Sequence, residues 1–141
     1  AFRDETAELL LPPTRSLVRA KKALAALPGG GATPMAAALE LTSDLAELST
    51  KQGKTMQYVL LTDGAANVAR DGTRNREAGT RDALDAARRL ALIPSSGLII
   101  DTAQRPQPRA RELAATLAGT YIALPQADAQ TLNKAIRASS L

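Results

Sequence analysis

The chain has 141 residues, is 45% hydrophobic and 2% aromatic, carries a net charge of +4, and contains neither cysteine nor histidine. That length suits one domain with a core of Leu, Ile, Val and Ala, and no apolar run reaches the roughly 18 residues a membrane span requires. The missing residue types exclude disulfides, thiolate or imidazole metal centres and Ser-His or Cys-His nucleophile pairs, so any bound metal is held by oxygen, which favours magnesium, calcium or manganese.

No signal-peptide pattern is present, and the chain opens on Ala1-Phe2-Arg3 rather than Met, so its start is expected upstream. Residues 7–11 read as a short strand stopped by Pro12-Pro13. Thr14 then suits the N-cap of an amphipathic helix. Leu17, Ala20, Leu24 and Leu27 form its apolar side, and Arg15, Arg19 and Lys22 fall elsewhere. Pro28 and Gly29-Gly30-Gly31 break it. Thr33-Pro34 predicts the next helix start, with Thr as N-cap and Pro at the first helical position. Met35, Leu39, Leu41, Leu45 and Leu48 supply its apolar side, Glu40, Asp44 and Glu47 form an acidic stripe, and it ends near Gly53.

Residues 56–62 (MQYVLLT) read as a strand buried on both faces and ended by Asp63-Gly64. A polar loop with a second Asp-Gly pair, Asp71-Gly72, leads to a helix over about residues 76–92, with Ala83, Leu84, Ala87, Leu90 and Ala91 inward. Residues 98–100 form another buried strand, ended by Asp101. Pro106 and Pro108 precede a helix with Leu113, Ala114 and Leu117, closed by Gly119. Residues 120–124 are the last strand, and Asp128 caps a final helix containing Leu132 and Ile136.

Strand and helix alternate from residue 56 onward, the pattern of βαβ units and a parallel sheet. Right-handed crossovers place the C-terminal strand ends on one edge, where ligands bind in open α/β sheets. The positive charge is local: residues 64–111 carry nine arginines and five acidic residues, and the remainder carries nine of each sign. Solvated helix faces and loops account for such an excess. Nucleic-acid binding is disfavoured because stacking aromatics are nearly missing.

Two loops at that edge could carry chemistry. In Gly29-Gly30-Gly31-Ala32-Thr33-Pro34 the glycines let the backbone approach a ligand, and Thr33 presents a hydroxyl. Taken alone this is also an ordinary helix break and cap, and it lacks the Lys-Ser/Thr pair of a phosphate loop. In Leu60-Leu61-Thr62-Asp63-Gly64 a carboxylate sits at the end of an apolar strand. Taken alone this is an Asp-Gly turn, and functionally it is an oxygen ligand for a hard cation. A carboxylate at a buried edge is costly unless paired or metal-bound.

Together the two loops resemble the second and third metal loops of the von Willebrand A (integrin I-type) fold, with Thr33 and Asp63 at the positions of its metal-binding threonine and aspartate. More narrowly, FRDETAELLLPPTRSLVRAKKALAALPGGGATPMA and VLLTDGAANVARDG resemble the D-subunit family of magnesium chelatases. The likeness runs across nearly all of residues 1–141 and is most specific in Leu-Pro-Pro-Thr-Arg-Ser, Gly-Gly-Gly-x-Thr-Pro and Thr-Asp-Gly-x-x-Asn. It implies a Rossmann-like, doubly wound, mostly parallel sheet with one antiparallel edge strand. The family's Asp-x-Ser-x-Ser loop does not occur here. By resemblance that loop belongs upstream with the first strand and helix, leaving half a metal site and a gap in the sheet. Ala1-Phe2-Arg3 would then end the second strand, and residues 7–11 would be the antiparallel edge strand.

The resemblance further implies magnesium held by Thr33 directly and by Asp63 directly or through water, with one position open to an acidic side chain of another protein. Gly31, Gly64 and Asn67 would line the partner approach, and Arg70 and Arg74 would steer an acidic partner. The implied setting is a non-catalytic domain of an ATP-dependent ligase. That enzyme inserts magnesium into protoporphyrin IX at the entry to chlorophyll and bacteriochlorophyll synthesis. The implied partners are an AAA+ ATPase I subunit and a porphyrin-binding H subunit in a ring-forming hetero-oligomer. The implied location is the bacterial cytoplasm, or the plastid stroma of a plant or alga. Two other readings compete: a generic von Willebrand A adhesion module, and a hydrolase or phosphotransfer domain using Asp63 and Asp101 as strand-end carboxylates.

Overall fold

The computed structural model describes residues 32–123 continuously, together with residues 2–3, 6–7, 18–19, 22, 130, 134 and 137–138. Most of the helix over 14–27, of which residues 18, 19 and 22 are described as helical, the Gly29-Gly30-Gly31 turn, the Asp128 cap and most of the final helix lie outside the described residues. Strands β1 (Phe2–Arg3) and β2 (Thr6–Ala7) pair antiparallel, Phe2 with Ala7 and Arg3 with Thr6. Strands β3 (Met56–Thr62), β4 (Ser95–Asp101) and β5 (Thr120–Ala123) form a separate parallel sheet in the order β3-β4-β5. The helices between them are α1 (Met35–Lys51), α2 (Arg76–Ala91) and α3 (Pro108–Thr116). This is the α/β architecture with a parallel sheet that the strand-helix alternation predicts, consistent with the doubly wound fold that the resemblance implies, and α1 packs against β1, β2 and β3 and so connects the two sheets.

Strand periodicity assigns the faces. The register pairs Leu60 with Ile99 and Ile99 with Tyr121, so these three share one face. They pack with Met35 and Leu39 of α1, Ala83, Ala87 and Leu90 of α2, and Leu113 and Ala114 of α3 in one apolar cluster. On the other face Leu98 and Ile100 of β4 are buried, but Val59 and Leu61 of β3 are 42% and 59% exposed. β3 is therefore not covered on both faces as its composition suggests. Among the described residues β3 lies at the edge of this sheet and β4 between β3 and β5, and β4 is buried in both side-chain directions from Gly97 to Asp101.

The buried stripe of α1 also differs from the leucine pattern. Met35, Ala36, Ala38, Leu39, Ser43 and Ala46 are buried, while Leu48 is 53% exposed and Leu41 and Leu45 are half-buried. Small residues bring α1 close to the alanine-rich face of α2, where Ala83, Ala86 and Ala87 are buried. Buried Ser43 stays satisfied by donating to the Leu39 carbonyl at 2.9 Å, so it carries no penalty for an unmet polar group. The acidic stripe of α1 meets arginine: Glu40 pairs with Arg70 at 2.6 Å, and Glu47 and Asp44 lie 3.3 and 3.7 Å from Arg89.

Candidate functional site

The site begins where β3 ends. Thr62 is buried, and its Oγ1 accepts the Gly64 N–H at 3.0 Å. Asp63 Oδ1 accepts the Ala65 N–H at 2.9 Å, forming an Asx turn. Gly64 has φ +79°, and a Cβ there would stand 2.8 Å from the Ala110 nitrogen of α3. The glycine therefore admits the chain's own helix α3, which fixes the turn against the helix layer. At the edge Thr62 pairs with Asp101 in register, and the Thr102 N–H donates to the Thr62 carbonyl at 2.9 Å.

The segment after Asp63 is not simply a polar loop. Ala66, Val68 and Ala69 are buried and tuck under α2. A Cβ at Gly79 would stand 2.8 Å from the Ala66 carbonyl oxygen. The Asn75 side chain caps α2 by accepting the Ala78 N–H at 3.1 Å, a favourable N-terminal arrangement. This packing holds Asn67 beside the other loop. Asn67 Oδ1 accepts the Thr33 N–H at 2.7 Å, and the Asn67 N–H donates to the Thr33 carbonyl at 3.3 Å.

Thr33 is not the N-cap of α1. Pro34 occupies that position with ψ 67° and no side-chain cap bond, because the Thr33 backbone is drawn outward to Asn67. Its N–H and C=O are thereby engaged, and Thr33 Oγ1 has no hydrogen-bond partner among the described residues. Asp63 is exposed rather than held at a buried edge, and its Oδ2 likewise has none. A neutral hydroxyl and a carboxylate suit a hard cation in kind. Among the described residues, however, no three acidic side chains cluster to hold a metal, so a tight site needs further oxygen ligands.

The remaining site residues divide. Asn67 turns its amide oxygen to Thr33 rather than outward. Arg70 is tied by its side chain to Glu40 at 2.6 Å and by its N–H to Asp82 at 2.8 Å. That contact raises the Arg70 pKa, chiefly through the hydrogen bond to Glu40. Arg74 is exposed and forms no ion pair with the described residues. Gly31 lies outside the described residues.

Asp101 is the buried strand-end carboxylate, with no solvent exposure. Its Oδ1 accepts the Ala103 N–H at 2.9 Å and its Oδ2 accepts the Tyr121 hydroxyl at 2.7 Å. The Arg111 guanidinium lies 4.7 Å from the Tyr121 ring centroid. Asp101 therefore braces β4 against β5, with both carboxylate oxygens engaged inside the fold rather than presented at the surface beside Asp63. The brace involving Tyr121 was not apparent in the sequence, although Asp101 ending an apolar run was the available signal.

No protein-family model matches the chain. Among curated proteins, it is 48% identical over 139 residues to the magnesium-chelatase 60 kDa subunit of Cereibacter sphaeroides, an overlap of 99% of this chain and 25% of that protein. It is 44% identical over 131 residues to the magnesium-chelatase 60 kDa subunit of Rhodobacter capsulatus, covering 93% of this chain and 23% of the relative. It is 35% identical over 145 residues to the magnesium-chelatase 67 kDa subunit of Chlorobaculum parvum, covering 96% and 23%. The chain thus spans about a quarter of the length of these curated relatives.

Proposed function

We propose, from its homology to the magnesium-chelatase 60 and 67 kDa subunits, that this chain is a von Willebrand A-type docking domain of a magnesium-chelatase subunit. It joins that subunit to the ATPase and porphyrin-binding subunits and does no bond chemistry itself. The observation that carries the reading is the two-point contact between Asn67 and Thr33. It ties the hydroxyl-bearing loop to the segment that begins at Asp63, 34 residues being the separation of Thr33 and Asn67 in the chain.

Thr33 and Asp63 would hold a magnesium ion, with oxygen ligands from outside this chain completing the set. Such an ion would supply a hard, positively charged centre attractive to an acidic side chain of a partner. This magnesium is resident and distinct from the ion that a chelatase inserts. The chain's own residues orient the site. Asn67 fixes the Thr33 backbone, Thr62 and Ala65 fix the Asp63 turn, and Ala110 closes it from below. No helix among the described residues is long and apolar enough to cross a membrane, and the assembly we infer works in the bacterial cytoplasm.

Association of the full-length protein with the ATPase subunit, measured by biolayer interferometry, tests this reading. Thr33→Val removes only the hydroxyl, and Asp63→Asn keeps an oxygen for Ala65. Each should weaken magnesium-dependent association by about tenfold or more. Wild-type association that is equal in magnesium and in EDTA would refute it.

A further inference from the structure

Beside this edge lies a groove that the cation site does not use. Its floor follows one face of α2, where Glu77, Thr80, Arg81, Leu84 and Arg88 recur at helical spacing. Arg76 stands at one end, and Arg109 reaches in from the first turn of α3. The groove has a volume of about 540 Å³. A smaller cavity of about 20 Å³ shares Thr80, Leu84 and Arg109 with it and is also lined by Gly64, so the groove adjoins the packing beneath the Gly64 turn.

Its charge is one-sided, with four arginines and one acidic residue lining it. Arg88 is held by Asp85 at 2.6 Å, but Arg76, Arg81 and Arg109 form no ion pair with the described residues, and all four arginines are exposed. Two arginines outside the groove are neutralised, Arg70 by Glu40 and Arg89 by Glu47 and Asp44, whereas Arg74 and Arg105 stand singly without an ion pair among the described residues. What sets the groove apart is that three arginines without an ion pair among the described residues, Arg76, Arg81 and Arg109, line one concave surface.

We propose that this groove docks an extended acidic peptide segment of a partner protein, with carboxylates on the guanidiniums and an apolar side chain over Leu84. From Glu77 to Arg88 the helix rises about 16 Å. A single phosphate or carboxylate is far smaller, while about five residues of extended chain match that length. Guanidinium forks suit carboxylates, and their apolar stems, with Leu84, cover the non-polar part of a peptide. No groove residue is aromatic, so the stacking that single-stranded nucleic acid uses is missing. The groove needs no cation and therefore stands apart from the Thr33–Asp63 reading.

Fluorescence anisotropy with the full-length protein and a short fluorescein-labelled peptide of alternating Glu and Leu tests the proposal. Saturable binding is expected, equal in magnesium and in EDTA. It should weaken at high salt and fall about tenfold or more in Arg81→Gln/Arg109→Gln, with folding checked by circular dichroism. Arg105→Gln, an exposed arginine outside the groove, should leave it unchanged. Three results would overturn the proposal: no saturable binding, binding seen only in magnesium, or binding indifferent to the Arg81/Arg109 pair. Tighter binding of a charge-matched single-stranded DNA oligonucleotide would also overturn it, because the groove would then select phosphate.

Discussion

Asn67 grips Thr33 at two points, its amide oxygen taking the Thr33 N–H at 2.7 Å and its own N–H reaching the Thr33 carbonyl at 3.3 Å. Two loops from different parts of the chain are thereby held side by side. A side chain whose amide oxygen is committed to a backbone N–H positions other groups more than it contacts a partner. Asn67 is therefore a positioning residue for Thr33.

Asn67→Ala leaves the half-buried Thr33 N–H without its acceptor and should destabilise the protein by about 1–3 kcal/mol. Asn67→Asp keeps an oxygen acceptor and should recover part of the loss. Chemical denaturation checks both. Equal stability of wild type and the alanine variant would show that the two loops stay together without this contact.

Gly79 gives a prediction of unusual sign. Replacing glycine by alanine inside a helix ordinarily stabilises by up to about 1 kcal/mol. At Gly79 the added methyl would meet the Ala66 carbonyl oxygen at 2.8 Å and the Val68 backbone at 3.0 Å. Gly79→Ala should therefore lower the melting temperature and loosen the Asp63–Asn67 segment. An increase in melting temperature would mean that α2 does not press on that loop.

Tyr58 sets an alkaline limit. Its ring covers Gly97, where a Cβ would collide with it, and burial pushes its pKa up to about 12. The unfolded chain ionises this phenol near 10, while the folded protein keeps it neutral. Stability from this group is thus unaffected below pH 10 and falls as the pH rises from 10 toward 12. The slope is at most about 1.4 kcal/mol per pH unit, and less here because the ring is partly exposed. Tyr58→Phe should flatten that decline in thermal melts across this range.

Arg70 and Arg74 should differ in how they steer a partner. Glu40 already offsets Arg70, whereas Arg74 has no ion pair with the described residues. Arg74→Glu should slow association with an acidic partner at low salt more than Arg70→Glu does, and both effects should fade as salt screens them. Stopped-flow association rates over a salt series check this, and rates unchanged at low salt would remove steering from the account.

Much of this architecture was legible in the residues. β3, α2 and β4 announce themselves through apolar runs and periodicity, and Asp63-Gly64 marks the strand end that the structure places at the sheet edge. What was not legible depends on tertiary neighbours. The leucines of α1 outrank its alanines in hydrophobicity, yet close packing on α2 selects Ala38, Ser43 and Ala46 for burial. Val59 and Leu61 look like core residues, but their face of β3 is left exposed. Thr33 looks like a cap until a partner 34 residues away turns its backbone aside. The Arg groove depends on α3 meeting α2, which no local pattern specifies.

In the proposed function the Thr33 hydroxyl and the Asp63 carboxylate share one hard cation. Manganese, an oxygen-seeking and paramagnetic stand-in for magnesium, can be titrated into the full-length protein and its free fraction followed by electron paramagnetic resonance. The wild type should show a manganese site that is lost or weakened about tenfold or more in Thr33→Val and again in Asp63→Asn, both variants remaining folded. Identical titration curves for wild type and both variants would contradict it.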